Sequence, residues 1–206
     1  MIAVKEQPII MSGAMVRALL DGSKTQTRRP LRKQPLDILP MNVPNEWIGL
    51  MSRNPNKGVV FKCKYGQVGQ RLWVRETFYI NEQLWVDDHF EPDGRTVYKA
   101  DKDNPDIFKG AWKPSIHMPR WASRIDLEIT EVRLAELNDM TEEDAKAEGI
   151  YSNSIYGDTG FHWVSKDSGY ETAIIAFERL WDSLYAQRGY GWETNCFVWV
   201  LTFKVV

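Results

Sequence analysis

Leu20-Asp21-Gly22-Ser23-Lys24-Thr25-Gln26-Thr27-Arg28-Arg29-Pro30 is the stretch on which the reading of this chain turns. Upstream, Ser12 is a good N-cap and the apolar run Ala14, Met15, Val16, Ala18, Leu19, Leu20 follows it, so a short helix is expected to stop at Gly22. Lys24, Arg28 and Arg29 then come interleaved with the hydroxyls of Ser23, Thr25 and Thr27. Three cations and three hydroxyls at a helix–strand junction suit a phosphate or a polar base edge. A lone cation there would only complement the negative end of a helix dipole.

The segments around this junction alternate more than they coil. Val59–Lys64 reads as a strand. Arg71–Ile80 alternates, with Leu72, Val74, Glu76 and Phe78 facing one way and Trp73, Arg75, Thr77 and Tyr79 the other. Trp85–Ala100 reads as a hairpin turning at Pro92-Asp93-Gly94. Arg124–Val132 is a half-buried strand with Ile125, Leu127 and Ile129 inward. Thr141-Glu142-Glu143-Asp144 resembles a capping box that opens a short helix ending at Gly149. A longer helix is expected over Tyr170–Arg188, its apolar stripe Ala173, Phe177, Leu180, Trp181 and Leu184, closed by Gly189. Phe197–Val205 begins apolar on both faces, as a strand inside a sheet does. The Pro-containing segments 32–56 and 101–120 read as long loops. The 206 residues suit one domain spanning 1–206, α+β, built on a small, partly closed barrel with flanking helices.

Composition removes several function classes. Net charge is −2, so no overall basic field advertises long nucleic acid, and any such binding must use a local patch. Nine Trp, eight Tyr and eight Phe predict a core rich in rings, with some free for stacking. Cys63 and Cys196 form no C-x-x-C pair, and His89, His117 and His162 have no metal-ligand spacing, so neither a disulfide nor a metal is expected. His117, between Pro114 and Pro119, reads as a rigid loop residue. No G-x-S-x-G, Walker glycine loop or G-x-G-x-x-G occurs. No signal peptide and no window long enough for a membrane helix is present, so a cytoplasmic protein without cofactor is expected.

Two carboxylates stand out. Glu76 shares a face with apolar residues, so it is either paired, with an arginine such as Arg75 or Arg71 of a neighbour, or functional. Glu148 ends the short helix, where its charge opposes the helix dipole; from spacing alone it reads as a solvated acid in an acidic run.

Gly22-Ser23-Lys24-Thr25-Gln26-Thr27-Arg28-Arg29 resembles the G-x-K-x-x-T-x-R signature of ASCH domains, relatives of the RNA-binding PUA domains, and Gly69-Gln70-Arg71-Leu72-Trp73-Val74 resembles the G-D-x-L-x-V strand that follows it. Lys113–Ile125 is similar to a stretch in a longer, phage-associated branch of ASCH-like proteins. The resemblance implies a PUA-like β-barrel with a cleft lined by the signature, and RNA or a modified nucleoside as ligand. Small ASCH enzymes are amidohydrolases that remove the acetyl group from cytidine acetylated on its exocyclic amine, using Lys, Thr and Glu. Lys24 and Thr27 match the first two, and Met140–Gly149 resembles the helix carrying the third, which places the acid at Glu148. Ser23, Thr25, Arg28, Arg29, Arg75 and Glu76 are then the expected substrate-binding residues. The alternatives within the resemblance are a non-catalytic RNA or modified-base binding module, a single-stranded RNA ribonuclease, or a phage (prophage) accessory interaction protein. The chain is about twice the length of those enzymes, and its oligomeric state is not indicated.

Overall fold

Ser12 caps the first helix as its hydroxyl accepts from Met15 N–H, and Gly22, at φ +80°, turns the chain out of it. The computed structural model describes residues 5–41, 46–51, 58–80, 84–86, 89–91, 96–101, 111–150 and 172–206. The helix, α1 (Gly13–Leu20), joins β1 (Glu6–Ile10) to β2 (Gln26–Pro30), and these two strands become the opposite edges of the main sheet. Between them lie β6 (Arg71–Arg75), β11 (Asp126–Glu136) and β12 (Phe197–Val205), in the order β1-β6-β11-β12-β2. The β1–β6 pair is parallel and the others are antiparallel. The architecture is a mixed α+β fold dominated by sheet.

Strand pairing does not close this sheet into a barrel. Its edges are instead linked by a side chain: Arg29 on β2 donates from Nη2 to the main-chain oxygen of Ile10 on β1 at 2.7 Å. Inside the curl, Leu72, Val74, Leu127, Ile129, Trp199, Leu201 and Phe203 pack with Val16 and Leu19 of α1. The other face of β12, Val198 and Val200, is covered by α3 (Ala173–Tyr185) through Phe177, Leu180 and Trp181. Two cores therefore share one strand, which is why β12 is apolar on both faces.

Several expectations are corrected. Val59–Lys64 does not join the main sheet: β5 (Gly58–Lys62) pairs with β4 (Glu46–Leu50), which pairs with β3 (Asp37–Pro40), so the segment 32–56 contains two strands. Their apolar stretches, Ile38-Leu39 and Trp47-Ile48, are too short to display a period, and Pro40 sits at the end of an edge strand, where proline is tolerated. Trp47 docks this small sheet on the core by an edge-to-face contact with Trp199, centroids 5.2 Å apart. Arg71–Ile80 is not one strand. It breaks at Glu76, whose N–H approaches Met118 Sδ at 3.5 Å, and continues as β7 (Phe78–Ile80), which pairs with β10 (Thr96–Tyr98). The hairpin expected over Trp85–Ala100 is thus divided: β8 (Leu84–Val86) pairs with β9 (His89–Glu91), and the turn at Pro92-Asp93-Gly94 lies outside the described residues.

The helix expected over Tyr170–Arg188 is described from its N-cap Thr172; it is α-helical to Tyr185 and 3₁₀ over Ala186–Arg188, while 170 and 171 lie outside the described residues. Its stripe ends on Tyr185, and Leu184 is 39 % exposed rather than buried. In the expected loop 101–120, residues 102–110 lie outside the described residues and Ser115–His117 forms a 3₁₀ turn, with His117 exposed. His162 also lies outside them. Among the described residues no helix is long and apolar enough to cross a membrane.

Candidate functional site

Past Gly22 the chain folds back on the helix it has just left. Ser23 N–H donates to Asp21 Oδ1 at 2.9 Å, and Lys24 N–H donates to Ala18 O at 2.8 Å. Lys24 then forms an isolated antiparallel bridge with Glu148, and Thr25 N–H donates to Ala147 O at 2.9 Å. The end of α2 (Glu142–Ala147) is in this way stapled to the end of α1. Thr141 caps α2 in a reciprocal box with Asp144, and Glu148 is its C-cap. Gly149, at φ +87°, makes the contact possible, because a Cβ there would stand 2.8 Å from Ala18 Cβ and 3.1 Å from Lys24 Cβ.

Lys24 is 1 % exposed and Glu148 4 %. The lysine arm curls back so that Nζ donates at 2.8 Å to each of Gln26 O, Glu148 O and Glu148 Oε2. All three ammonium hydrogens are matched. Burial pushes the Lys24 pKa below its ordinary value; Glu148 opposes this, while Arg29 and Arg28 add to it. Glu148 is therefore not a solvated surface acid. Its charge at the helix end, unfavourable to the dipole, faces Lys24 and Arg28 instead of water.

Arg28 reaches two carboxylates one helical turn apart: Nη2 lies 2.9 Å from Asp144 Oδ2 and Nη1 lies 3.4 Å from Glu148 Oε1. Arg28 Nη1 also donates to Gln26 Oε1, and Gln26 Nε2 donates to Asp144 Oδ1 at 3.2 Å. Partial burial alone would raise the Asp144 pKa, but Arg28, the Thr141 N–H, Gln26 and Arg133 together hold it below the ordinary aspartate value. Sequence reasoning missed Gln26 and Asp144 as members of the cluster. The signal was present: Gln26 and Arg28 are two apart on a strand and share a face, and Asp144 and Glu148 are four apart at the end of a helix.

A shallow cleft opens beside this cluster. Thr27, Arg28, Arg29 and Glu148 form its polar side, and Phe177, Leu180, Trp181 and Tyr185 of α3 its apolar side. Thr27 is buried, and no hydrogen bond joins its hydroxyl to Lys24 Nζ, whose hydrogens are taken. Arg29 donates to Tyr185 Oη at 3.2 Å as well as to Ile10 O. Burial pushes the nearby Tyr65 hydroxyl up to about 12, against the pull of Arg29.

The remaining expected binding residues stand apart from this cleft. The Ser23 hydroxyl donates to Ala18 O at 3.3 Å, completing a helix end, and Thr25 is exposed. Glu76, 2 % exposed, pairs with Arg124 at 2.9 and 3.2 Å, not with Arg75 or Arg71. Arg124 also holds Asp101 and covers the Tyr98 ring, so Glu76 belongs to a structural ion-pair cluster. Burial raises the Glu76 pKa, and Arg124 opposes the shift. Arg75 lies over the Trp73 ring, 4.5 Å from its centroid, and donates to Ile116 O. Neither Arg75 nor Glu76 lines the cleft. Among the described residues no group of three or more His, Cys, Asp or Glu is placed to hold a metal ion. Compared with protein-family models, with curated proteins and with solved structures, the chain matches none of them.

Proposed function

We propose that this cleft binds a modified nucleoside and hydrolyses the amide on its exocyclic amine, acetylated cytidine being the substrate that the ASCH resemblance indicates. The observation that carries the reading is the 2.8 Å contact between two buried, oppositely charged groups, Lys24 and Glu148, of which Glu148 lines a cleft that Thr27 also lines and Lys24 stands behind it. Thr27, Arg28, Arg29 and Glu148 face the rings of Phe177, Trp181 and Tyr185 across the cleft, a lining that suits a base ring with a polar substituent.

The chemistry follows from the pair. Transfer of a proton from Nζ to Oε2 leaves a neutral amine and a neutral acid, and burial favours that exchange. The amine then accepts the Thr27 proton as Oγ1 attacks the amide carbon. The oxyanion develops beside the Arg28 and Arg29 guanidiniums. Collapse breaks the C–N bond as Glu148 gives its proton to the departing amine. Water hydrolyses the acyl-threonine ester, releasing the carboxylic acid and restoring the hydroxyl. Because the Nζ hydrogens are all matched at rest, the cycle requires Nζ to turn from Gln26 O toward Thr27. On the same reading the curled sheet, its edges tied by Arg29, is a PUA-like barrel, and the protein acts in the cytoplasm.

A second reading, a binding module for RNA or a modified base without turnover, is favoured by the saturation of Lys24. Incubation of the chain with N4-acetylcytidine, with cytidine followed by chromatography, separates the two. Conversion by the wild type, lost in Lys24→Met and Thr27→Val, supports hydrolysis; binding without conversion supports the module and overturns it.

A further inference from the structure

Glu148 divides its carboxylate between two cations: Oε2 meets Lys24 at 2.8 Å and Oε1 meets Arg28 at 3.4 Å. The unequal distances have a cause one turn earlier on α2. Asp144 takes the other end of the Arg28 guanidinium at 2.9 Å. It is itself fixed, because Oδ2 accepts from Thr141 N–H at 3.3 Å and Oδ1 from Gln26 Nε2 at 3.2 Å. Arg133, from β11, approaches Oδ1 at 3.4 Å from the solvent side. Gln26, Arg28 and Asp144 thus form a closed triangle that keeps the guanidinium from swinging wholly onto Glu148.

We propose that Asp144 is a positioning residue which, by holding Arg28, leaves Glu148 paired with Lys24 and so governs the proton shared by that pair. The proposal rests on the reading of Lys24 and Glu148 as a proton-transfer pair. The charged groups that face the pair are Arg28 and Arg29 from β2 and Asp144 from α2, with Arg133 of β11 behind Asp144. Without the Asp144 charge, Arg28 is free to form a full two-point pair with Glu148, the chemistry guanidinium and carboxylate prefer. Glu148 then withdraws from Lys24, and the ammonium loses the contact that opposes its desolvation.

The test is a pH titration of the Lys24 ammonium by ¹⁵N-lysine NMR, the resonance being assigned by its disappearance in Lys24→Met. Asp144→Asn conserves size and an acceptor for the Thr141 N–H. It is expected to move the Lys24 midpoint to lower pH, and the shift is expected to vanish when Arg28→Met is already present. For acetylcytidine turnover, kcat falls about tenfold with KM within about twofold, because Glu148 drawn onto Arg28 no longer takes from Lys24 the proton it gives to the departing amine, and Asp144→Glu recovers part of the loss. A folded Asp144→Asn protein with the Lys24 midpoint unmoved or raised overturns the proposal, whatever the turnover. If Asp144→Asn does not fold, Arg133→Gln, at a half-exposed site, decides: a midpoint raised by the tighter Asp144–Arg28 contact supports the proposal, and no change overturns it. A midpoint moved by Asp144→Asn in a protein whose wild type leaves acetylcytidine intact keeps the positioning role and overturns only the amidohydrolase reading.

Discussion

Lys24 Nζ lies 2.8 Å from the Glu148 carboxylate and 2.8 Å from the Glu148 main-chain oxygen, so one residue at a helix end supplies two of the three acceptors that a buried ammonium needs. The backbones of the two residues are bridged as well. The pair is held by main chain on both sides, and its geometry does not depend on two long side chains finding each other in water.

Removing the two charges has unequal consequences. Glu148→Gln leaves a buried ammonium facing Arg28 and Arg29, and is expected to cost about 3–5 kcal/mol, the range for an uncompensated buried charge. Lys24→Met leaves the Glu148 carboxylate with Arg28 at 3.4 Å, so its cost is smaller. Urea denaturation of both variants measures the difference; equal losses would show that Arg28 does not support Glu148.

The alkaline limb of stability carries the signature of Lys24. Its folded pKa is depressed below the ordinary 10.5, so between the depressed value and 10.5 the unfolded chain holds the proton more tightly than the folded one. Unfolding free energy from this group therefore rises with pH across that window, by at most about 1.4 kcal/mol per pH unit. The wild type is expected to gain stability relative to Lys24→Met as the pH rises toward 10.5. A gap that is flat, or that narrows, contradicts the depressed value.

Thr27→Val separates chemistry from packing. Thr27 is buried against the cleft and pairs in register with Leu201, so an isosteric apolar residue conserves the core. Valine matches threonine in volume but lacks its hydroxyl, so stability is expected to change by about 0.5–1.5 kcal/mol, the net worth of one hydrogen bond. Acetylcytidine turnover is expected to fall roughly a thousandfold or more, about 4 kcal/mol of transition-state stabilisation. Turnover that survives the substitution removes Thr27 as nucleophile.

The sequence makes the ends of elements more legible than their partners. Ser12, Gly22, Thr141 and Gly149 act locally, through caps and positive φ, and each does what its residue type implies. Leu72, Val74, Glu76 and Phe78 do share a buried parity, yet the strand carrying them breaks at Glu76, because an ion pair with Arg124, 48 residues away, is a tertiary contact that alternation does not encode. For the same reason Arg75 and Glu76 read as binding residues while the structure keeps them away from the cleft. Strand β1, on which Arg29 rests, carries Pro8 and a mixed exposure pattern, and no period announces it. Asp144 was visible only as a capping residue, although its side chain also meets an arginine 116 positions earlier.

Tyr185→Phe tests the tie between the sheet edges. The Tyr185 hydroxyl accepts from Arg29 Nη1 at 3.2 Å while Nη2 holds Ile10 O at 2.7 Å. Removing the oxygen leaves a partly buried guanidinium hydrogen unmatched, at a cost of about 1–2 kcal/mol. Amide exchange is expected to quicken in β1 and β2 more than in β11. Uniform quickening across the sheet would mean that Arg29 is not what joins its edges.

Gly149→Ala strikes the site from the backbone. The position has φ +87°, where an L side chain is strained, and the new Cβ would meet Ala18 Cβ at 2.8 Å and Lys24 Cβ at 3.1 Å. Neither neighbour is the far end of a flexible chain: one belongs to α1 and the other to the bridge with Glu148. Relief therefore requires α1 and residue 24 to move away from the end of α2, which lengthens the contacts of Nζ with both Glu148 oxygens. The expected loss of stability is about 1–3 kcal/mol, the range for a strained backbone position. On the proposed reading, acetylcytidine turnover should fall with it even at temperatures where the variant is fully folded, because Lys24 and Glu148 are pulled apart. Gly22→Ala is the matching control: it has a similar φ of +80° but nothing within 4 Å of its Cβ. It should lose stability from backbone strain alone and keep its activity once folded. Equal loss of activity in both variants would detach Gly149 from the site and reduce it to a helix stop.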